Sequence, residues 1–258
     1  MMPPAELLSL GAAAAIAGAI NAVAGGGTLL TFPVLTFFGT PKIVANATST
    51  LALVIGTGGS IFSLRKQIGA VRAWLVRFVP VSMLGGWLGS MLLTHAGESV
   101  FARLVPFLVL FATILFLAQD AFRRFAGFGE KGPAHPHHRA TWAAVVFQFA
   151  VAVYGGYFGA GIGILMLASL GFLGLHDIHE MNALKNVLSC VINVVATLWF
   201  IRAGIIDWPK AGVMSVSALG GYFLGAHFSQ QLPQRAVRHL VTAIGLTISA
   251  IMFYRQFC

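Results

Sequence analysis

Charged side chains are scarce in this sequence, and acidic ones are scarcer than basic ones. Asp, Glu, Lys and Arg make up 9% of the 258 residues, whereas 58% are hydrophobic. Soluble domains carry about 25% charged residues, so this composition excludes a soluble enzyme or a soluble binding module. The sequence predicts an all-α integral membrane protein, in which the lipid bilayer surrounds roughly seven to ten spanning or half-spanning segments.

Cysteine and the motifs of reactive sites are also missing. Only Cys190 and Cys258 occur, so neither a disulfide framework nor a thiolate metal site is implied. The chain lacks His-Glu-x-x-His, Cys-x-x-Cys, Gly-x-Ser-x-Gly and a pair of Asp residues within a span. We therefore predict that the protein is not an enzyme, has no catalytic residues, and uses no cofactor or metal.

The few charges are mostly basic, which gives a formal net charge of +9. In a soluble protein this would suggest nucleic acid, but here Lys and Arg cluster in loops beside apolar spans. The positive-inside rule explains such clusters, so no nucleic-acid partner is expected. The seven acidic residues fall in loops or at segment ends, and none offers a buried proton relay or sodium ligand.

Two glycine-rich breaks interrupt the apolar runs. Gly25, Gly26 and Gly27 stop the first run, and a second break extends from Gly159 to Gly163 about half a chain later. Lipid offers no partners to free backbone N–H and C=O groups. A broken helix at membrane depth therefore survives only inside protein or beside a polar cavity. Matching breaks in two halves of a chain indicate a transporter site.

The two halves share further landmarks in the same order. A shift of 135 or 136 positions aligns Gly26 with Gly161, Asn46 with Asn182, and the pair Gly85-Gly86 with Gly220-Gly221. The glycine pairs give their spans a thin face for a neighbouring helix. We predict a first transmembrane repeat at 1–119, a basic cytoplasmic linker at 120–140 and a second transmembrane repeat at 141–258.

Two arrangements of these repeats are compatible with the sequence. If each half-span after a break continues the preceding helix, the repeats are parallel. If it folds back as a re-entrant hairpin, the repeats are inverted. Lys and Arg divide between the two faces of the membrane in the same numbers in either arrangement, so the positive-inside rule does not distinguish them. We favour inverted repeats, because opposed hairpins bring both glycine tips to the midplane.

Substrate-binding residues are predicted at the breaks and at the polar helix starts that follow them. A small oxyanion needs hydrogen-bond donors, a compensating positive charge and close approach of the backbone. The candidates are Gly25, Gly26, Gly27, Asn46, Thr48, Ser49 and Thr50 in the first half, and Gly161, Gly163, Asn182, Lys185 and Asn186 in the second. The alternative is that the polar residues cap helices, the glycines permit packing, and Lys185 snorkels to the interface.

Two other polar positions lie within spans. Asn21 precedes the first break by one helical turn, and Asn193 lies two turns after Asn186 on the same face. Polar residues in a span usually face protein or water rather than lipid. We interpret Asn193 as an interhelical hydrogen-bonding residue rather than a substrate contact.

A resemblance to a known family extends over nearly the whole chain. Ala24-Gly-Gly-Gly-Thr-Leu-Leu-Thr-Phe-Pro33, Asn46-Ala-Thr-Ser-Thr50 and an irregular second glycine-rich copy at 159–163 resemble the sulfite exporter TauE/SafE family. The resemblance implies an exporter of a small sulfur-containing anion, such as sulfite or sulfoacetate. It also implies a multi-pass protein of the bacterial cytoplasmic membrane.

The leading hypothesis is therefore export of such an anion through a central site between two repeats. A monovalent anion that leaves a negative-inside cell gains about 2.3 kcal/mol per 100 mV, so a uniport or a proton carried on the substrate would suffice. The alternatives are transport of another small solute or a cation, an intramembrane enzyme, and a membrane scaffold. The glycine-bearing spans also leave a homodimer possible.

Overall fold

The computed structural model describes residues 2–23, 26–63, 65–125, 138–171, 178–228 and 234–257, and every regular element in these ranges is an α-helix. The helices are α1 (Pro4–Val23), α2 (Thr28–Phe37), α3 (Lys42–Ser63), α4 (Arg65–Ala70), α5 (Arg72–Phe125), α6 (His138–Tyr157), α7 (Ile162–Gly171), α8 (Ile178–Arg202), α9 (Trp208–Phe228) and α10 (Gln234–Phe257). Glycine residues Gly26, Gly159 and Gly161 adopt φ of +90°, +79° and +78° at the two predicted breaks. Both breaks are thus confirmed in the described residues.

Apolar length and apolar surface confirm the membrane class. Three described stretches are long and apolar enough to cross a bilayer: Pro4–Ala22, Arg72–Leu115 and Glu180–Arg202. Large apolar side chains also cover the outside of the bundle, including Val76 at 72% and Val216 at 76% exposure. Such a surface would aggregate in water but is stable against lipid chains.

Helix α5 contains two of the predicted spans, joined at a kink. Gly97 has φ +75° and ψ +156°, values outside the helical region, and divides α5 into arms at 72–96 and 98–125. Glycine tolerates this left-handed φ because it has no Cβ. The first arm aligns with α9 and the second with α10 under the shift of 135 or 136 positions.

The first break folds the chain back on itself. The Lys210 ammonium, near the start of α9, lies 2.8 Å from Glu6 Oε1 in α1 and donates to Thr40 Oγ1 just after α2, at 2.9 Å. The beginning of α1 and the end of α2 therefore lie at the same face of the bundle. Helix α2 also packs on α1. We call residues 4–37 the first hairpin.

The second break also lies between two helices that pack on each other. Helix α7 packs back on α6. Ala144 near the start of α6 and Leu170 near the end of α7 belong to one buried cluster with Val71 and Met181. These last two residues lie just before α5 and near the start of α8. We call residues 138–171 the second hairpin.

Each hairpin packs on a long helix from the other half. Helix α1 packs on α9, and α6 packs on α5. The glycine-bearing faces make this contact possible, because a Cβ on Gly221 would overlap the Ala15 carbonyl oxygen and a Cβ on Gly89 would overlap that of Val153. The predicted thin faces are thus confirmed at these positions. Gly220 is the exception, since it has no heavy atom within 4 Å of a built Cβ.

Candidate functional site

A cavity of about 60 Å³ lies where the two glycine breaks meet the middle of the bundle. Its walls come from α1, α2, α3, α7, α8 and α9 and from the breaks themselves. The lining residues are Asn21, Gly26, Thr28, Thr50, Leu53, Thr57, Gly159, Gly161, Ile162, Gly163, Lys185, Asn186, Ser189, Asn193 and Tyr222. We call it the central cavity.

Helices α3 and α8 pack on each other and form two walls of the cavity. The wall from α3 consists of Thr50, Leu53 and Thr57, and the wall from α8 consists of Asn186, Ser189 and Asn193. Each residue of the second wall is 136 positions after its counterpart in the first. The spacing i, i+3, i+7 places three side chains on one helix face, so the α8 wall is a continuous polar stripe, whereas Leu53 interrupts the α3 wall between two hydroxyls.

The breaks place the beginnings of two helices at the cavity. Helix α2 begins at Thr28 and α7 begins at Ile162, and both residues line the cavity. Several of the first N–H groups donate to carbonyls of the breaks, as Leu29 does to Gly26 and Ile164 to Gly161, but each helix N-terminus still carries about half a positive charge. The Gly27 N–H is 3.5 Å from Asn21 Oδ1, at the limit of a hydrogen bond. Two positive helix ends thus face one small space.

Lys185 is the basic residue among the described residues that line this space. It lies in the second turn of α8, is partly buried, and lines the cavity. Its stem passes close to the α7 backbone, because a Cβ on Gly163 would be 3.4 Å from Lys185 Cδ. Among the described lining residues none is acidic. The fixed charges at the cavity therefore favour an anion over a cation.

Backbone carbonyl groups that lack a helical partner at the second break accept hydrogen bonds from side chains. Tyr154 Oη donates to the Ala160 carbonyl at 2.7 Å, and Asn46 Nδ2 donates to the Tyr157 carbonyl at 3.2 Å. Free carbonyls at membrane depth cost several kcal/mol each, so these bonds stabilise the broken backbone. Asn46 comes from α3 and thereby ties the first half to the second break.

Six of the predicted binding residues line the central cavity. They are Gly26, Thr50, Gly161, Gly163, Lys185 and Asn186. Asn182 is partly buried but does not line the cavity, and Gly25 lies outside the described residues. Gly27 is buried where a Cβ would be 2.6 Å from the Ala17 carbonyl oxygen, so its position is set by close packing of α1 and α2.

The other hydroxyls predicted at the start of α3 hold the bundle together. Thr48 Oγ1 accepts from the Asp207 N–H at 3.1 Å, and Ser49 Oγ is 2.5 Å from Thr31 Oγ1. Both side chains are fully buried away from the cavity. They connect α3 to the start of α9 and to α2.

The hydroxyl of Thr50 faces the cavity but donates elsewhere. Thr50 Oγ1 donates to the Asn46 carbonyl at 2.8 Å, which is a bond within its own helix. An anion needs donors, so this hydroxyl contributes less than its position suggests. The strongest donors in the lining are the Lys185 ammonium and the amides of Asn21, Asn186 and Asn193.

Nine lining residues were not among the predicted binding residues from the sequence. They are Asn21, Thr28, Leu53, Thr57, Gly159, Ile162, Ser189, Asn193 and Tyr222. Helical spacing from Thr50 and Asn186 would have identified Thr57 and Ser189. Tyr222 gives no such signal, because only the packing of α9 against α3 brings it to the cavity.

Comparisons with known proteins identify a family of membrane transporters. The profile of the family described as Sulfite exporter TauE/SafE matches residues 10–252. A probable membrane transporter protein of Haemophilus influenzae is 28% identical over 244 residues, which cover 93% of this chain and 92% of that protein. The probable membrane transporter protein YfcA of Escherichia coli K12 is 26% identical over 259 residues, covering 98% and 92%. No solved structure matches the chain.

Proposed function

The chain belongs to the sulfite exporter TauE/SafE family of membrane transporters, and on this premise we propose that it exports a small sulfur-containing anion through the central cavity. The observation that carries the proposal is the charge of the lining. Two helix N-termini and Lys185 face the same space, and the described lining residues include no carboxylate. Backbone N–H groups and an ammonium are the donors that oxyanions take in proteins.

The size of the cavity supports sulfite over a larger sulfonate. A water molecule needs about 10–15 Å³ of such space, so the 60 Å³ found here holds roughly four to six water-sized groups. Sulfite has four heavy atoms, whereas sulfoacetate has twice as many. Sulfoacetate would require the cavity to widen.

We also propose that the two halves are inverted repeats. Under the shift of 135 or 136 positions, three helix contacts have a counterpart elsewhere in the bundle. The contact of α1 with α9 corresponds to that of α6 with α5, and the contact of α3 with α9 corresponds to that of α8 with α5. The contact of α2 with α10 corresponds to that of α7 with α5. A first hairpin that begins and ends at one face leaves three crossings before the linker, so the second half starts from the opposite face. The basic linker at 120–140 then lies in the cytoplasm by the positive-inside rule.

Single-cysteine labelling tests this topology. In a variant without Cys190 and Cys258, Ala5→Cys and Trp142→Cys should react with a membrane-impermeant thiol reagent from opposite sides of the membrane. Both positions are exposed at the start of a hairpin. Parallel repeats would cross four times per half and label both positions from the same side, and that result would refute the inverted arrangement.

Transport by purified protein tests the substrate. Proteoliposomes loaded with sulfite should release it faster than protein-free liposomes, and faster than matched proteoliposomes release sulfoacetate. A thermal-shift panel of sulfite, thiosulfate, sulfoacetate, ammonium and divalent metals gives an independent measurement. Stabilisation by ammonium or a metal, without stabilisation by any sulfur anion, would favour the cation alternative and contradict the proposal.

A further inference from the structure

A second and much larger cavity lies on the flank of the bundle. It has a volume of about 810 Å³ and opens between α2, the second arm of α5 and α10. None of its lining residues lines the central cavity. We call it the α2–α10 groove. Its volume falls in the range of about 300–1,000 Å³ that is typical of sites for small ligands.

One end of the groove is basic. Lys42 and Arg103 both line it, and Lys42 is the first residue of α3. Lys42 Nζ donates to the Ala102 carbonyl at 3.3 Å, so its ammonium lies at the backbone of the residue that precedes Arg103. Glu98 is the nearby carboxylate, and it accepts from the backbone N–H groups of Lys42 and Ile43 at the start of α3. Glu98 thus caps a helix and does not line the groove.

The rest of the groove is mostly apolar and extends inward from that end, and the hydroxyls of Ser9 and Thr36 in its wall donate to carbonyls of their own helices. Ile248 and Met252 are nine and five residues before the end of α10 at Phe257. At 1.5 Å per residue they lie roughly 8–14 Å below the end of the helix, at the depth of lipid chains. Phe37 at 82% and Ile251 at 49% exposure form a rim that opens to the bilayer.

We propose that the α2–α10 groove is a binding site for a phospholipid with an anionic headgroup. Its phosphate lies between Lys42 and Arg103, and one acyl chain lies along Ile248, Ile251 and Met252. The combination of a basic end with an apolar channel matches the two parts of a lipid. A small sulfur anion matches only the basic end, since the other walls are mostly apolar and their two hydroxyls donate within their own helices. Basic residues near a membrane surface attract anionic lipid by electrostatics and show little preference for a zwitterion.

Retention of lipid through purification tests the proposal. The protein is extracted in mild detergent, exchanged into micelles with equal phosphatidylglycerol and phosphatidylcholine, and examined by native mass spectrometry. The variants are Lys42→Gln with Arg103→Gln, Ile251→Trp, and Arg202→Gln as a matched control. Arg202 is an exposed basic residue at the end of α8 that does not line the groove. Thermal unfolding confirms that each variant is folded.

We expect the wild type and Arg202→Gln to retain phosphatidylglycerol about fivefold or more over phosphatidylcholine. The double variant should lose this preference, and Ile251→Trp should weaken the retention of both lipids alike, because the indole narrows the groove where the acyl chain lies. Equal retention of the two lipids by the wild type would overturn the proposal, as would a double variant that behaves like Arg202→Gln. Displacement of the lipid by soluble glycerol phosphate would also overturn it, since that result indicates a site for a free anion.

Discussion

Replacement of Lys185 by Gln is the sharpest test of the central cavity as an anion site. The substitution leaves a hydrogen-bond donor on a side chain that is one bond shorter, and it removes the charge. Two unit charges 4 Å apart attract each other by about 4 kcal/mol at an effective dielectric constant of 20. Lys185 is partly buried, so water and desolvation reduce this gross value. A hydrogen bond from a charged donor contributes about 1.5–3 kcal/mol net.

This range converts to a measurable loss of affinity. A factor of ten corresponds to about 1.4 kcal/mol, so Lys185→Gln should weaken apparent sulfite affinity by roughly tenfold to 150-fold. The measurement is the initial rate of sulfite efflux from proteoliposomes as a function of the internal sulfite concentration. Lys185→Arg should retain most of the affinity, because it preserves the charge.

Ser49 offers a matched control in the other half of the chain. It is the counterpart of Lys185 under the shift of 136 positions, but it is fully buried against Thr31 and does not line the cavity. Ser49→Ala should therefore lower thermal stability and leave the sulfite affinity within about twofold. Equal losses of affinity in Ser49→Ala and Lys185→Gln, or no loss in Lys185→Gln, would refute the assignment of the anion to this cavity.

Three further predictions concern packing, donors and the hairpin. Gly221→Ala should lower the thermal midpoint by an amount equivalent to about 1–3 kcal/mol, whereas Gly220→Ala should leave it unchanged or raised, because only Gly221 contacts a neighbouring helix. Asn186→Ala should reduce sulfite efflux more than Thr50→Val, since the Thr50 hydroxyl donates to its own helix; the opposite order would contradict the donor assignment. Lys210→Met should destabilise the protein by about 1.5–3 kcal/mol in thermal unfolding, and Lys210→Arg should restore most of this, because the cation joins both ends of the first hairpin.

The glycine breaks could be predicted from the sequence because lipid makes a broken helix exceptional. Gly26 and Gly161 occupy the left-handed region, and this conformation is readily open only to residues without a Cβ. The same reasoning led to Lys185, since a charge within an apolar span needs a polar surrounding. These signals are local, so no knowledge of the neighbouring helices was necessary.

The hydroxyl cluster at the start of α3 shows the limit of such reasoning. Thr48, Ser49 and Thr50 are adjacent in sequence, but 100° of rotation per residue directs them to different neighbours. Thr48 bonds to the start of α9, Ser49 bonds to α2, and Thr50 alone reaches the central cavity. Asn193, interpreted from the sequence as a residue between helices, lines the cavity as well.

The sequence by itself determined the class of the protein, the positions of its breaks and the placement of a positive charge beside one of them. These follow from composition and from the chemistry of single residues in lipid. Only the tertiary structure decided which polar faces meet, because α3 and α8 come from opposite halves and their contact depends on the hairpins packing across each other. The packing of the hairpins depends on the rotation of each helix and on the close approach of α6 at Gly89 and of α1 at Gly221. A short stretch of sequence encodes neither.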